Sequence, residues 1–375
     1  MYKMMKAFGD AVVKKIAKSL PAWQQAVVKK LVPPCPPYRP EPPANADMLT
    51  PALVARLTVP VHFESYHVYS LQNVHVTWNG AVFQNLRLFA PSVMRNQFLS
   101  RFQDTLLLRQ WVGEKVQVIG TKIAVCHNHW STENYYHWLI DSLPRLLALR
   151  SLYPGMKLLL PRISALHPVP EFISTSARLL GFPDQLPLTP RQILSAQTVI
   201  MPDLTATSLT QRPELVRQVQ KELLAALCPE PIQPFRRIYA ARAEGFPRNL
   251  LNEPEVEGWL QQEGFEKVYF EQMTLLQQVC LMRETEVLLA VHGANMTNIL
   301  FLPGTAKVIE IHNKEYSDPC YLRLASCLGL EYYICPCTGV DAKLGNQSDV
   351  VVDVALLQRI TALTLNKNTQ TADAN

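Results

Sequence analysis

The chain has 375 residues, 48% of them hydrophobic, and a formal net charge of +5 at pH 7. That length exceeds one ordinary core, so two domains are expected. The mild charge has no dominant basic block, which speaks against nucleic acid as a partner, and no apolar run approaches the roughly 20 residues that span a bilayer.

Taken in order, Met1 to Leu31 predicts two helical pieces broken at Pro21. Met4, Met5, Phe8, Val12, Ile16 and Leu20 share one face, and Lys3, Lys6, Lys14 and Lys18 lie mostly opposite. A basic amphipathic segment of this kind suits an anionic membrane surface or a docking place on the protein's own body. It lacks the uninterrupted apolar core of a secretory signal, so a cytoplasmic location, peripheral at the inner face of the membrane, is expected. Residues 32–60 contain PPCPPYRPEPP and read as an extended linker. From Val61 onward short strands follow, with Asn79-Gly80 as a turn between two apolar runs and a further strand over Val116 to Cys126.

Asn128 to Arg150 reads NHWSTENYYHWLIDSLPRLLALR. Thr132 or Asn134 can cap a helix there, and His137 and Asp141, four apart, share a face. Pro144 either kinks this helix or sits in the first turn of a new one starting near Asp141 or Ser142. Strand and helix then alternate through Pro213–Leu227. Together these elements predict a first α/β domain over 61–230 with extra N-terminal strands.

A second Pro-rich break, Pro229 to Pro234, marks the boundary. Over 231–365 the alternation is clean. A strand at Arg237–Ala241 precedes a helix opened by Asn252, with Pro254 in its first turn and Glu255 three residues on, a capping-box pattern. Strand Lys267–Phe270, helix Thr274–Arg283, strand Leu288–Val291, a short helix, strand Lys307–Ile311, a helix near Pro319–Leu328, strand Glu331–Cys335 and helix Val351–Leu363 follow. Five strands joined by such helices predict a doubly wound parallel sheet. Residues 366–375 read as a disordered tail. The eight cysteines are scattered and expected to be reduced. Cys320, Cys327, Cys335 and Cys337 fit no common zinc spacing, and no metal is expected.

The second domain turns on Leu288 to Ile311, LLAVHGANMTNILFLPGTAKVIEI. A buried strand runs into the small-residue corner His292-Gly293-Ala294. Asn295 or Thr297 can then cap a short helix that Pro303-Gly304 ends. Such a corner leaves backbone N–H groups free at a helix start, where an anion such as a diphosphate is stabilised; a ligand-free αβ corner gives the same pattern. Ligands of open α/β sheets bind outside the carboxyl ends of the strands. Arg242, Glu271, His292 and Glu310 lie at those ends, and Arg248 lies in the loop before Asn252. Two arginines and a helix start would suit a diphosphate, and a carboxylate would suit ribose hydroxyls. There is no Asp-x-Asp, no Walker lysine loop and no Gly-x-Gly-x-x-Gly, so a metal-free site is the consistent expectation, and an oxidoreductase is disfavoured. His137 oriented by Asp141 is the best acid–base pair in the first half. The bland alternative makes His137 a core residue and Asp141 a helix cap.

These residues carry a resemblance. Asn134-Tyr-Tyr-His-Trp-Leu-Ile-Asp-Ser-Leu-Pro-Arg145 resembles the Asn-Tyr-Phe-His-Trp…Asp…Leu-Pro-Arg block of glycosyltransferase family 61. Tyr239-Ala-Ala-Arg242 with Arg248 and Asn252-Glu253 resembles its Tyr-x-x-Arg…Arg…Asn-Glu block. His292-Gly-Ala-Asn-Met-Thr-Asn298, Pro303-Gly304 and Glu310 resemble its His-Gly-Ala-Gly-x-Thr-Asn…Pro-Gly…Glu block, departing at Asn295, where the family usually has Gly.

The resemblance implies a GT-B enzyme, two Rossmann-like domains facing across a cleft. It implies an inverting transferase that uses a nucleotide-sugar, often a UDP-sugar, with no cofactor. It points to bacterial capsule or lipopolysaccharide assembly, with a glycan or lipid-linked glycan as acceptor. Expected donor-binding residues are Arg242, Arg248, the corner His292, Gly293, Ala294 and Asn295 with Thr297 and Asn298, and Glu310 or Glu271 for ribose or base. His137 or Asp141 is the expected base. A non-catalytic nucleotide- or sugar-binding protein of the same fold is the alternative.

Overall fold

The computed structural model describes residues 27–32, 37–63, 65–84, 87–93, 113–150, 152–205, 209–243, 245–316 and 318–366. They fall into two compact units, one drawn from Met1–Cys35 and Phe63–Ser208, the other from Pro36–His62 and Leu209–Asn375. Each contains one sheet, so the protein is mixed α/β. No helix among the described residues is long and apolar enough to cross a membrane.

The first unit is built on an eight-stranded sheet. Its strands are β1 (Val27–Val32), β2 (Tyr66–Thr77), β3 (Val82–Gln84), β4 (Arg87–Leu88), β5 (Glu114–Ala124), β6 (Lys157–Pro161), β7 (Gln185–Leu188) and β8 (Gln192–Pro202). The spatial order is β4-β3-β2-β8-β5-β6-β7, with β1 also paired to β2. Only β8, β5, β6 and β7 run parallel; β1 to β4 form an antiparallel half. The unit is therefore less Rossmann-like than expected: the appended strands make half its sheet. Residues 27–31 were expected to be helical, but Val27–Val32 is a strand antiparallel to β2. Its sequence, VVKKLV, carries three valines, β-branched residues that favour the extended form. The remainder of the basic N-terminal segment lies outside the described residues. Asn79-Gly80 does turn β2 into β3, with Gly80 at φ +82° and no room for a Cβ, which would lie 2.2 Å from the His127 carbonyl oxygen.

The second unit carries β9 (Arg236–Ala240), β10 (Phe265–Val268), β11 (Thr285–Val291), β12 (Lys307–Asn313), β13 (Glu331–Gly339) and β14 (Val350–Val351) in the order β10-β9-β11-β12-β13-β14. The first five are parallel, as the sequence predicts, and β14 is added antiparallel. Strands β11 and β12 are buried along almost their whole length, which is why their centres, Val287–Val291 and Val308–Ile311, are largely apolar. The order 2-1-3-4-5 places a topological switch between β9 and β11, where the chain leaves in opposite directions and a crevice opens at the strands' carboxyl ends.

Two segments depart from expectation here. The Pro-rich stretch is not a free linker. It carries helix α1 (Pro51–Leu57) and docks on β13: Ala44 N–H donates to the Tyr332 carbonyl, and the Asn45 amide both donates to Ile334 O (2.9 Å) and accepts from Ile334 N (3.0 Å). Asn45 is fully buried, so Asn45→Ala leaves two backbone groups unpaired. We expect a loss of about 1–3 kcal/mol by chemical denaturation. The helix Pro213–Leu227, expected in the first domain, packs in the second unit, where Arg217 Nε donates to Cys327 O at 2.7 Å. Val216, Val219 and Leu223 are its buried stripe. The capping-box expectation at Asn252 also fails: the helix Glu253–Gln262 has no side-chain cap, because the Asn252 amide pairs with the Val352 backbone instead. A full capping box forms elsewhere, at Thr274 with Gln277.

Candidate functional site

At the switch point, Arg242 leaves the end of β9 and lies over the corner after β11. Its Nη2 donates to His292 O at 3.1 Å and its Nη1 to Pro247 O at 3.0 Å. Gly293 is extended at φ 166°, so its backbone makes no demand for glycine. The demand is spatial: a Cβ there would lie 1.4 Å from Arg242 Nη2 and 2.7 Å from its Cζ. The arginine occupies the space that any side chain would fill. Gly293→Ala should displace the guanidinium from this place with little change in melting temperature, which a structure and a thermal melt of the variant would check.

Arg248 approaches the same edge with φ +69°, a left-handed conformation that non-glycine residues rarely adopt and that clusters at functional sites. The Nε atoms of Arg242 and Arg248 are both buried without a hydrogen-bond partner. Burial, then the Arg248 charge, push Arg242 down to about 10. Two neighbouring guanidiniums that carry unpaired donors are under-neutralised, and an anion would relieve them.

The helix expected after the corner starts earlier than read. It is a 3-10 helix over Ala294–Phe301 with Gly293 at its start and no side-chain cap. Asn295 and Thr297 therefore lie inside it. Asn295 Nδ2 reaches Ala241 O (3.3 Å) and Glu271 Oε2 (3.4 Å), and Glu271 Oε1 accepts from Ala243 N at 2.7 Å. Ala294, Asn295 and the exposed Glu271 thus stay at the edge with the arginines. Thr297 and Asn298 do not. Both are fully buried, and Asn298 Nδ2 donates to Gln278 Oε1, tying the corner to the helix Leu275–Arg283.

Glu310 also moves off the ligand surface. It is 1% exposed, and both oxygens are engaged: Oε1 by His292 Nδ1, Oε2 by the Tyr332 hydroxyl at 2.9 Å, with His312 Nδ1 3.2 Å away. A carboxylate so enclosed cannot reach a ribose. Burial would raise it, but the neighbouring His312 and His292 and their hydrogen bonds hold it well below the usual carboxylate range. His312 is raised in turn: burial opposes, and Glu310 outweighs it. Tyr239 and Glu253 of the resembling block are likewise structural, joined by a 2.8 Å hydrogen bond. Among the described residues, Cys335 and Cys337 converge with Cys320 and Cys327 on no common point, and the seven described cysteines are free.

In the first unit, Asn134 Oδ1 accepts from His137 N, and the chain then makes a π-helical turn over His137–Ser142 before helix Leu143–Arg150. Pro144 explains the turn. It has no N–H for Ile140, and the Leu143 N–H reaches back five residues to Trp138 O. His137 Nδ1 meets Asp141 Oδ2 at 2.7 Å, with the two side chains 14% and 6% exposed. Trp130, given no role from the sequence, packs against His137 with ring centroids 5.0 Å apart and the planes tilted by 41°. Arg145 is buried and donates to Cys126 O and to Pro202 O (3.2 and 2.6 Å), pinning this helix to the ends of β5 and β8.

Each unit therefore presents a cluster at the carboxyl ends of its parallel strands. The family comparison covers both. Residues 135–309 match the glycosyltransferase 61 family model. These residues belong to glycosyltransferase family 61. The family 61 region contains His137, Asp141, Arg242, Arg248, Glu271 and the corner to Asn298, and it ends one residue before Glu310.

Among similar proteins is an EGF domain-specific O-linked N-acetylglucosamine transferase of Drosophila melanogaster, 35% identical over 106 residues, 27% of this chain and 20% of that protein. The protein of that name from Canis lupus familiaris is 32% identical over 90 residues, 23% and 17% of the two chains. That from Rattus norvegicus is 38% identical over 65 residues, 17% and 12%. The alignments span a fifth or less of the length of these relatives.

Proposed function

We propose that the protein is an inverting, metal-independent glycosyltransferase that moves a sugar from a UDP-sugar to a hydroxyl of a glycan acceptor. The observation that carries this reading is the under-neutralised pair Arg242 and Arg248 at the switch point of a parallel sheet, within a family 61 region. In the GT-B reading the second unit serves the donor and the first the acceptor.

On the donor side, Arg242, Arg248 and the uncapped start of the 3-10 helix neutralise the diphosphate. Its charge grows as the glycosidic C–O bond breaks and the electron pair leaves with the phosphate oxygen. Donors fixed in advance stabilise that state more than the ground state. Glu271, held beside Asn295, replaces Glu310 as the ribose or base ligand.

On the acceptor side, His137 takes the proton of the acceptor hydroxyl while its oxygen bonds the anomeric carbon from the face opposite the diphosphate. Asp141, only 7% exposed and already bonded to Nδ1, orients the ring instead of meeting the acceptor. The Trp130 ring supplies an apolar platform beside it of the kind a sugar face packs on.

The relatives' printed name suggests N-acetylglucosamine as the sugar. The acceptor class is a glycan or lipid-linked glycan, as in capsule or lipopolysaccharide assembly at the cytoplasmic face of the membrane. A thermal-shift panel of UDP, GDP and NAD tests the reading. UDP at a hundred times its Kd should add about 2.7 kcal/mol of stability. Transfer from UDP-N-acetylglucosamine should survive EDTA. Stabilisation by NAD alone would favour an oxidoreductase and overturn it.

A further inference from the structure

Glu310 cannot meet a ligand, yet it sits directly behind a residue that can. His292 lines a small recess with Arg248, Val291, Ile311, Asn313 and Tyr316. Its carbonyl oxygen accepts from Arg242 Nη2, and its ring Nδ1–H donates to Glu310 Oε1. One residue thus joins the buried carboxylate to the arginines of the donor edge. With Nδ1 taken by Glu310, Nε2 is the ring nitrogen left for a ligand.

We propose that Glu310 is a positioning residue that lets His292 take up a proton when a nucleoside diphosphate binds, so that the Nε2–H joins the arginines in holding the diphosphate. This rests on the donor-site reading above and deepens it. A buried carboxylate behind an imidazole fixes its orientation and stabilises the imidazolium, the logic of the carboxylate in a hydrolase triad. A bound diphosphate places further negative charge in front of the ring, and between two anions the charged form is favoured.

The other charges around His292 divide. Arg242 and Arg248 oppose a further cation, as does a protonated His312, whose own charge Arg56 disfavours. Asp318, whose carboxylate lies within 4.8 Å of the His292 and Cys320 ligand atoms, supports it. Tyr321, edge-on to the ring at 5.0 Å, and Tyr332 and Cys320 are pushed up by burial and stay neutral. In the free protein the two arginines stand against the imidazolium. The diphosphate neutralises them, which is why uptake accompanies binding.

The experiment is calorimetric titration of UDP and of GDP into the full chain at about pH 8, where the diphosphate is fully ionised, in two buffers of different ionisation enthalpy. The wild type should take up a large part of one proton. Glu310→Gln keeps the shape and an oxygen for Nδ1–H but lacks the charge. It should abolish the uptake and weaken binding about tenfold. A merely structural role would lower the melting temperature without changing the proton count.

Binding with no uptake by the wild type, or undiminished uptake by Glu310→Gln, overturns the inference and leaves the donor site standing. Should Glu310→Gln not fold, ¹⁵N imidazole spectra of wild-type His292 decide. Both nitrogens protonated in the UDP complex support the inference, and a singly protonated ring overturns it. No binding of either nucleotide by the wild type removes the donor site and the inference together.

Discussion

Arg242→Ala is expected to cut turnover with a UDP-sugar about a hundredfold, the usual loss when one fixed donor to developing charge is removed. The loss should appear mainly in kcat, because the charge on the leaving diphosphate is largest in the transition state. The substitution also frees His292 O and Pro247 O, both at the edge of the sheet where water can replace the lost donor, so the fold should persist. Arg242→Lys separates charge from shape. An ammonium keeps the charge but cannot donate to both carbonyls while covering Gly293, and it should recover only a small part of the rate. Turnover unchanged in Arg242→Ala, measured by UDP release, would remove this residue from the site.

What the sequence disclosed of this edge follows from how each feature is encoded. The parallel sheet was legible because β11 and β12 are buried on both faces and so read as apolar runs bounded by Gly and Pro. That Arg242, Arg248 and the His292 corner meet at one edge was legible because all of them follow the carboxyl ends of parallel strands. The fate of Glu310 was not. A carboxylate at a strand end looks the same in sequence whether it faces solvent or, as here, a buried histidine two residues on and another at the end of the neighbouring strand.

The docking of residues 37–62 was hidden for a similar reason. Pro-rich composition signals extended backbone but not whether that backbone finds a strand to pair with, and Asn45 with β13 supplies one. Strand β1, read as helical, escaped because an antiparallel edge is specified by its partner, here β2, more than thirty residues on. A signal for one missed feature was present: Thr274-Leu-Leu-Gln277 is a capping-box pattern, and it is the one that forms.

His137→Ala is expected to lower transfer by on the order of a thousandfold while leaving UDP affinity unchanged, since a general base typically contributes between a hundredfold and ten-thousandfold. The split between the two readouts carries the argument. His137 lies in the first unit and the arginines in the second, so loss of the base should not disturb a nucleotide held by the other unit's residues. Asp141→Asn retains an oxygen that can accept from Nδ1, but the Asn amide can instead present its N–H₂ and turn the ring to the wrong tautomer. It should lose rate by a smaller factor than His137→Ala, and the loss should be steeper for acceptors with less acidic hydroxyls. The π-turn ties this chemistry to Pro144. Pro144→Ala restores an N–H that can bond Ile140, which would tighten the turn to an ordinary α-helix and rotate His137 relative to Asp141 and Trp130. A more stable but slower enzyme is the expected outcome, read by melting temperature and kcat together. If His137→Ala instead unfolds the chain or leaves transfer intact, His137 is a core histidine, Asp141 is a helix residue that holds it, and the base must be sought elsewhere.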